Sequence, residues 1–376
     1  MPWKKVSAVD LREEFVMLAR REGSNVRDLC RRYGVSPTTA YKWLGRHAAE
    51  GRPGLVDRSR RPHTSPGRTS AAMEARILAL REEHPAWGGR KLRQRLRDLG
   101  VRDVPRESTI TEVLRRHGRL DGAEAAKHMA FIRFEHAAPN DLWQMDFKGH
   151  FALRAGRCHP LTVLDDHSRF ALALEACANE RWTTVQGRLT GLFRRYGLPW
   201  RLLVDNGSPW GNDADSRHTL LTVWLLRLGI PVSHSRPYHP QTQGKAERFH
   251  RSLTAELLAR QPLADLDDCQ RHFDTWRQVY NAERPHEGIG LQVPLARYRP
   301  SSRPFPETLP ALEYETQDVL RTVDSEGRIS FRNRVFRVSK AFRGHRVALR
   351  PRTQDGHFDV CFGYHPVAFI DLAEAP

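Results

Sequence analysis

Three acidic side chains stand where their types and spacing could do chemistry. Asp146 lies inside the apolar segment WQMDF (143–147), which has the texture of a central strand. Asp205 closes a second apolar run, RLLVD (201–205), before a loop of Asn206, Gly207 and Ser208. Glu247 falls just inside a segment whose apolar residues Ala246, Phe249, Leu253 and Leu257 recur at helical spacing, so it projects from the rim of that stripe. In an open α/β sheet, ligands gather at the carboxyl ends of the strands. Three carboxylates converging there would suit hard divalent cations, Mg²⁺ with Mn²⁺ as a substitute and two ions rather than one. Such a site cleaves and rejoins phosphodiesters. Spacing alone leaves a structural alternative open, because strand-end aspartates are common and the helix dipole favours a glutamate near a helix N-terminus.

The elements that must position these acids are legible between 139 and 300. LWQMDFKGHFAL, CHPLTVLDD and RFALALEA predict three consecutive antiparallel strands. A helix is predicted over Trp182–Tyr196, then a strand at 201–205, a helix over about His218–Leu228 and a strand at 230–234. The loop SRPYHPQTQG and a long helix, Lys245–Arg260, complete the region. This order describes a mixed α/β sheet with helices on its faces. Trp143, Trp182, Trp224 and Trp276 are read as core. After the Pro-rich 300–310 segment, apolar residues alternate with polar or basic ones around Gly turns, which predicts a small antiparallel β-barrel and a further DNA contact.

The 376-residue chain has a formal charge of +17 at pH 7. That excess points to a polyanionic partner, because cations laid on phosphates release condensed counterions. The charge is uneven: residues 1–135 hold 29 Lys and Arg against 17 Asp and Glu, the remainder 32 against 27. A basic protein with solvated charges is the plain alternative.

The basic third predicts helices. Leu11, Phe15 and Leu18 give the first an apolar face, and the second runs from about Asn25 to Tyr33. Gly34 then permits a tight turn, Ser36 caps a third helix, and Pro37 takes its first position. That order is a helix-turn-helix, in which Ala40, Trp43 and Leu44 face inward and Thr38, Thr39, Lys42 and Arg46 meet a major groove. A plain three-helix packing unit would read the same way. The stretch GRPGLVDRSRRPHTSPGR, with Arg58, Arg60 and Arg61, predicts an extended basic linker along a phosphate backbone. A second such unit follows: helix Ala71–Glu83, loop His84–Gly89, helix Arg90–Leu99 ended by Gly100, and helix Thr109–His117 capped by Ser108. Its exposed leading residues include Arg106 and Thr111.

WQMDFKG, LLVDNGSPWG and SHSRPYHPQTQGKAERFHRSL together resemble the integrase-core transposases of bacterial insertion sequences, the group with N-terminal helix-turn-helix units that is related to retroviral integrases. The resemblance covers about 140–300. It implies a ribonuclease-H-like core whose catalytic acids and metal ligands match Asp146, Asp205 and Glu247. It further implies binding of double-stranded DNA at terminal inverted repeats, 3′-end cleavage and strand transfer into target DNA, with a homodimer or higher oligomer joining two ends. Two features depart from it. Forty-one residues separate Asp205 from Glu247, more than in many members, which loop entropy tolerates. The His/Cys zinc module that precedes the core in retroviral integrases is absent from the sequence.

The expected fold class is therefore multidomain: all-α helix-turn-helix units, a ribonuclease-H-like α/β core with a mixed sheet, and a small C-terminal antiparallel β-barrel. The boundaries read as a DNA-binding domain at 1–50, a linker at 51–69 and a second helix-turn-helix domain at 70–120. A linker at 121–138, the catalytic domain at 139–300, a linker at 301–315 and the barrel at 316–376 follow.

Further residues carry two readings. Asp165 and Asp166 suit a turn between strands better than a fourth ligand. His239 either contacts DNA or orders its loop, and Lys245, Arg248 and Arg251 either hold a phosphate near the helix N-terminus or form a solvated face. The five cysteines lie far apart and predict reduced, buried thiols. No apolar run approaches the ~20 residues of a membrane span; with no signal-peptide pattern at the N-terminus, a cytoplasmic protein without a membrane partner is expected. The rivals to strand transfer are a DNA-binding protein with an inactive integrase-like core and a metal nuclease acting on RNA–DNA hybrids.

Overall fold

The computed structural model describes residues 7–59, 67–120, 135–211, 218–234 and 244–373, and divides into two compact units, Met1–Arg68 and Thr69–Pro376. The first unit is built on α1 (Ala8–Ala19), α2 (Val26–Tyr33) and α3 (Pro37–Glu50). Each start is capped: Ser7 forms a reciprocal box with Asp10, Asn25 accepts from Arg27 and Asp28, and Ser36 accepts from Thr39 with Pro37 next in line. Gly34 ends α2 at φ 63°, the left-handed turn the helix-turn-helix order requires. Phe15, Val16, Cys30, Ala40, Trp43 and Leu55 form the core. Leu55 corrects the linker expectation. Arg52–Leu55 is a 3₁₀ turn whose leucine is fully buried and whose carbonyl accepts from Arg12 at 2.7 Å, so one apolar anchor holds the chain against the unit past Gly51.

The second unit opens with α4 (Ala71–Glu83), α5 (Gly89–Asp98) and α6 (Glu107–Arg116) around Ile77, Leu80, Trp87, Leu92, Leu96, Ile110, Val113 and Leu114. A Cβ on Gly89 would lie 2.5 Å from Thr111 Oγ1 and 2.6 Å from the Glu107 carbonyl, so only glycine lets α5 and α6 approach this closely. Thr111 is thus turned into the helix contact, and its hydroxyl donates to the Glu107 carbonyl at 2.7 Å. It is not an exposed leading residue. Nor does Ser108 cap α6. The chain arrives extended through Pro105, Arg106 takes the cap position, and Glu107 occupies the first turn. The helical trio is docked on the rest of the unit: Val279 packs on its core, Arg95 pairs with Glu283, and Arg90 lies 3.4 Å from Glu287.

The central sheet contains β1 (Trp143–Phe147), β2 (Phe151–Ala152), β3 (Arg157–Asp165), β4 (Ala171–Cys177), β5 (Leu202–Val204) and β6 (Val232–His234). Its order is β2-β3-β1-β5-β6 with β4 also on β3. β3 is antiparallel to β1 and β4, while β5 and β6 run parallel to β1. Side chains alternate across a strand. Trp143, Met145 and Phe147 accordingly join the core under α7 (Trp182–Tyr196) and α8 (Leu220–Arg227). Gln144 and Asp146 face the other side, covered by α9 (Gly244–Leu253) and α10 (Leu266–Ala282) through Ala246, Phe249, Leu253, Phe273 and Trp276. A π-turn, Thr254–Leu258, follows α9 where a continuous helix was expected. Trp182 is also corrected: at the first position of α7, a turn before the buried stripe begins at Val185, it is 37% exposed.

After α11 (Pro294–Arg297) come β7 (Val319–Thr322), β8 (Arg328–Phe331), β9 (Arg334–Arg337), β10 (Arg346–Pro351), β11 (His357–Phe362) and β12 (His365–Asp371). They are antiparallel as expected, but pair as a four-stranded sheet, β12-β11-β10-β7, and a separate β8–β9 hairpin rather than a closed barrel. Arg332 and Asn333 make the hairpin turn with φ of 49° and 61°. Val223 and Leu226 of α8 complete this core. The five cysteines are free and buried. No helix among the described residues is long and apolar enough to cross a membrane.

Candidate active site

The sheet brings Asp146 and Asp205 side by side. Gln144 of β1 pairs with Leu203 of β5 in parallel, and counting two residues on along each strand reaches Asp146 and Asp205. Trp210 and Gly207 fasten the second acid: the indole Nε1 donates to Asp205 Oδ1, and the Gly207 amide donates to the same oxygen at 3.0 Å. Trp210 is itself buried and stacked on Phe147, with ring centroids 5.4 Å apart. The Asp205 carbonyl accepts from His234 Nδ1 on β6 at 2.9 Å. Glu247 is exposed in the first turn of α9, above the buried Ala246, Phe249 and Leu253.

Burial, and next the charge of Asp205, push the Asp146 carboxyl up to about 7, with Glu247 adding to the effect and the Phe147 amide opposing it. The three carboxylates therefore share one field. Among the described residues none of them is paired with a lysine or arginine; the nearest ring nitrogen to Asp146 is His250 Nδ1 at 3.9 Å. No three His, Cys, Asp or Glu side chains among the described residues are gathered as a ready-made metal centre. The donor set, carboxylate oxygens, has the chemistry that a hard divalent cation requires.

Two tethers hold α9 over the sheet. His250 Nε2 meets Thr162 Oγ1 at 2.9 Å, and that hydroxyl donates to the Asp146 carbonyl, also at 2.9 Å, from the β3 position opposite Asp146. Burial drives the His250 pKa down to about 4, so the ring is neutral near pH 7. At the start of the helix Lys245 Nζ pairs with Asp166 Oδ1 and lies 3.3 Å from the Asp166 carbonyl. Lys245, expected on a phosphate or in solvent, is thus engaged with a buried acid. Asp165 closes its turn by accepting from Ser168 and also accepts from the Asn140 amide, whereas Asp166 reaches to Gln144 and to Lys245 of α9.

Among the other predicted residues, Thr38, Lys42, Arg58, Arg106, Arg248 and Arg251 are exposed, and Thr39 and Arg46 are half-buried. Lys42 and Arg46 lie 4.3 and 5.1 Å from the Trp43 ring centre, and Arg58 pairs with Glu50. Arg60, Arg61 and His239 lie outside the described residues. Gln144, Thr162, Trp210 and His250 were not foreseen. Gln144, Trp210 and His250 lie within five residues of an acid in sequence, whereas Thr162, 16 positions from Asp146, had no such signal.

Comparison with known proteins supplies context for this geometry. The integrase core domain family matches residues 136–240 and 228–294, and the C-terminal domain of IS481 family transposases matches 318–376. A helix-turn-helix domain matches 11–63, and a homeodomain-like domain matches 39–114. An uncharacterized 39.2 kDa protein of insertion element IS476 from Xanthomonas euvesicatoria is 25% identical over 245 residues, 63% of this chain and 67% of its own length. The 31.7 kDa protein of insertion element IS407 from Burkholderia multivorans is 23% identical over 236 residues, 61% of this chain and 81% of its own. The solved catalytic core of HTLV-2 integrase in complex with magnesium aligns over 43% of this chain and 99% of its own at 15% identity, with a TM-score of 0.34.

Proposed function

We propose that this chain, an insertion-sequence transposase of the integrase superfamily, cuts the 3′ ends of its element and joins them to target DNA at a site made of Asp146, Asp205 and Glu247. The observation that supports the reading is that Asp146 on β1 and Asp205 just past β5 follow paired positions of adjacent parallel strands, while α9, with Glu247 in its first turn, is tethered beside Asp146 through His250 and Thr162. Asp146, Asp205 and Glu247 would hold the divalent cations, Mg²⁺ or Mn²⁺. When bound, such ions activate the attacking oxygen and stabilise the leaving one. Strand joining is a transesterification: a 3′-hydroxyl oxygen bonds to a target phosphorus as the target strand's own P–O bond breaks. Phosphodiesters are conserved in number, so no nucleotide cofactor is needed.

The chain's own residues have distinct tasks in this reading. Thr38 and Lys42, exposed at the start of α3, meet the major groove of double-stranded end DNA, with Thr39 and Arg46 beside them. Arg248 and Arg251, exposed one and four residues after Glu247, track the phosphates near the cleaved bond. Trp210 and Gly207 orient the Asp205 carboxylate, and the Thr162–His250 contact holds α9 across from Asp146. Synapsis of two ends calls for a homodimer or higher oligomer. The test is a strand-transfer assay on the element's own end sequence, with an RNA–DNA hybrid as control. End-specific cleavage and joining is expected, and end binding without chemistry would instead make the chain a DNA-binding protein with an inactive core.

A further inference from the structure

We propose that Asp166 and Lys245 form a positioning pin that sets the place of Glu247 relative to Asp146, an inference that rests on the strand-transfer reading of the three acids. Asp166 is only 1% exposed. A turn aspartate ordinarily satisfies amides a few residues away, as Asp165 does with Ser168 while its other oxygen accepts from the Asn140 amide. The side chain of Asp166 instead binds distant groups: Gln144 Nε2 at 2.8 Å, the His136 amide at 2.9 Å and the Lys245 ammonium, which lie 22, 30 and 79 positions away. Gln144 is two residues before Asp146 on the same strand face, and Lys245 is two residues before Glu247. One buried carboxylate therefore ties the strand that carries the first acid to the helix that carries the third.

The leverage comes from Glu247 itself, an exposed side chain whose placement depends on the backbone of α9. Lys245 holds that backbone ahead of Glu247, and the His250–Thr162 contact holds it one turn after. A buried carboxylate left without its cation is costly, so the pin has a strong preference for the closed arrangement. Neither partner touches the reacting atoms. Both act through Glu247.

The full chain as Asp166→Asn, Lys245→Met, Lys245→Arg and the Asp166→Asn/Lys245→Met double variant tests the pin. Single-turnover 3′-end cleavage in Mg²⁺ is compared with end-DNA affinity across salt and with amide exchange over residues 246–250. Asp166→Asn and Lys245→Met should each slow cleavage by about 10- to 100-fold, the range that misplacing a reacting group costs. The double variant should be no slower than the slower single one, and Lys245→Arg should retain more activity than Lys245→Met. End affinity and its salt slope should stay near wild type while amide exchange in the first turns of α9 accelerates. Unchanged exchange in both single variants would overturn the pin, whatever the activity. So would a Lys245→Met chain that loses affinity with a salt slope reduced by about one phosphate beside a fully active Asp166→Asn, since Lys245 would then be a DNA contact. Wild-type cleavage that is lost in Glu247→Gln yet kept in both pin variants would sink the pin alone. Cleavage that survives Glu247→Gln would sink the underlying reading.

Discussion

Asp205 lies abreast of Asp146, each two residues past the Gln144–Leu203 pair of adjacent parallel strands. Both carboxylates thereby reach the same end of the sheet on the face that α9 covers. The pairing also sets a division of labour: β1 carries Asp146, the end of β5 delivers Asp205 to Trp210 and Gly207, and Glu247 comes from a helix that tertiary contacts must hold in place.

Trp210→Phe should leave the fold and end binding in place while lowering cleavage about 10-fold or more, the usual effect of removing a group that orients a metal ligand. The phenyl ring keeps the stacking on Phe147 but loses the indole donor to Asp205 Oδ1. A titration of cleavage against Mg²⁺ checks it, and raising the ion concentration should recover part of the loss. Wild-type rates throughout the titration would show that the indole does not orient Asp205.

Gly89→Ala should destabilise the second unit by about 1–3 kcal/mol, the common cost of overpacking. The added Cβ would stand 2.5 Å from Thr111 Oγ1, where α5 meets α6. Urea unfolding of the full chain, followed by the fluorescence of buried tryptophans such as Trp87, reads the change. No shift in the midpoint would mean that the helices separate without penalty.

Lys91 supplies a pH test away from the acids. Burial, and then Arg284, lower its ammonium to about 8, against about 10.4 in an unfolded chain. Below pH 8 both states hold the proton and the folded one bears the full cost; between 8 and about 10.4 only the folded state releases it, so stability rises with pH through that window. Lys91→Met should therefore stabilise the protein at pH 7 by about 1–2 kcal/mol, with the gain fading toward pH 10. A variant less stable than wild type at pH 7 would contradict this account.

Much of the scaffold was legible because local chemistry agreed with the fold. Ala71–Glu83 follows a Ser70 cap, Trp182–Tyr196 carries a continuous apolar stripe, and the acids sit in compact strand and helix patterns. The helix Leu266–Ala282 was passed over although its signal is present, an Asp265 cap and buried Cys269, Phe273, Trp276 and Tyr280 at helical spacing. Other features had no local signal. Asp166 reads as a turn residue until Lys245, 79 positions away, is brought against it. Likewise Leu55 looks like a linker residue until the first unit's core closes around it, and Thr111 looks exposed until Gly89 admits α5 alongside.

The most direct measurement is 3′-end cleavage and strand joining by Glu247→Gln beside wild type, with Mg²⁺ or Mn²⁺ and with excess chelator, and with end-DNA binding measured on the same preparations. Glutamine keeps the side-chain volume and helix propensity but removes the charge, so binding should survive. Wild-type chemistry should require the cation, and the variant should lose at least about 100-fold in rate, equal to roughly 2.7 kcal/mol of transition-state stabilisation. Wild-type-like turnover by Glu247→Gln, or undiminished wild-type activity in chelator, would contradict the assignment of a three-carboxylate metal site.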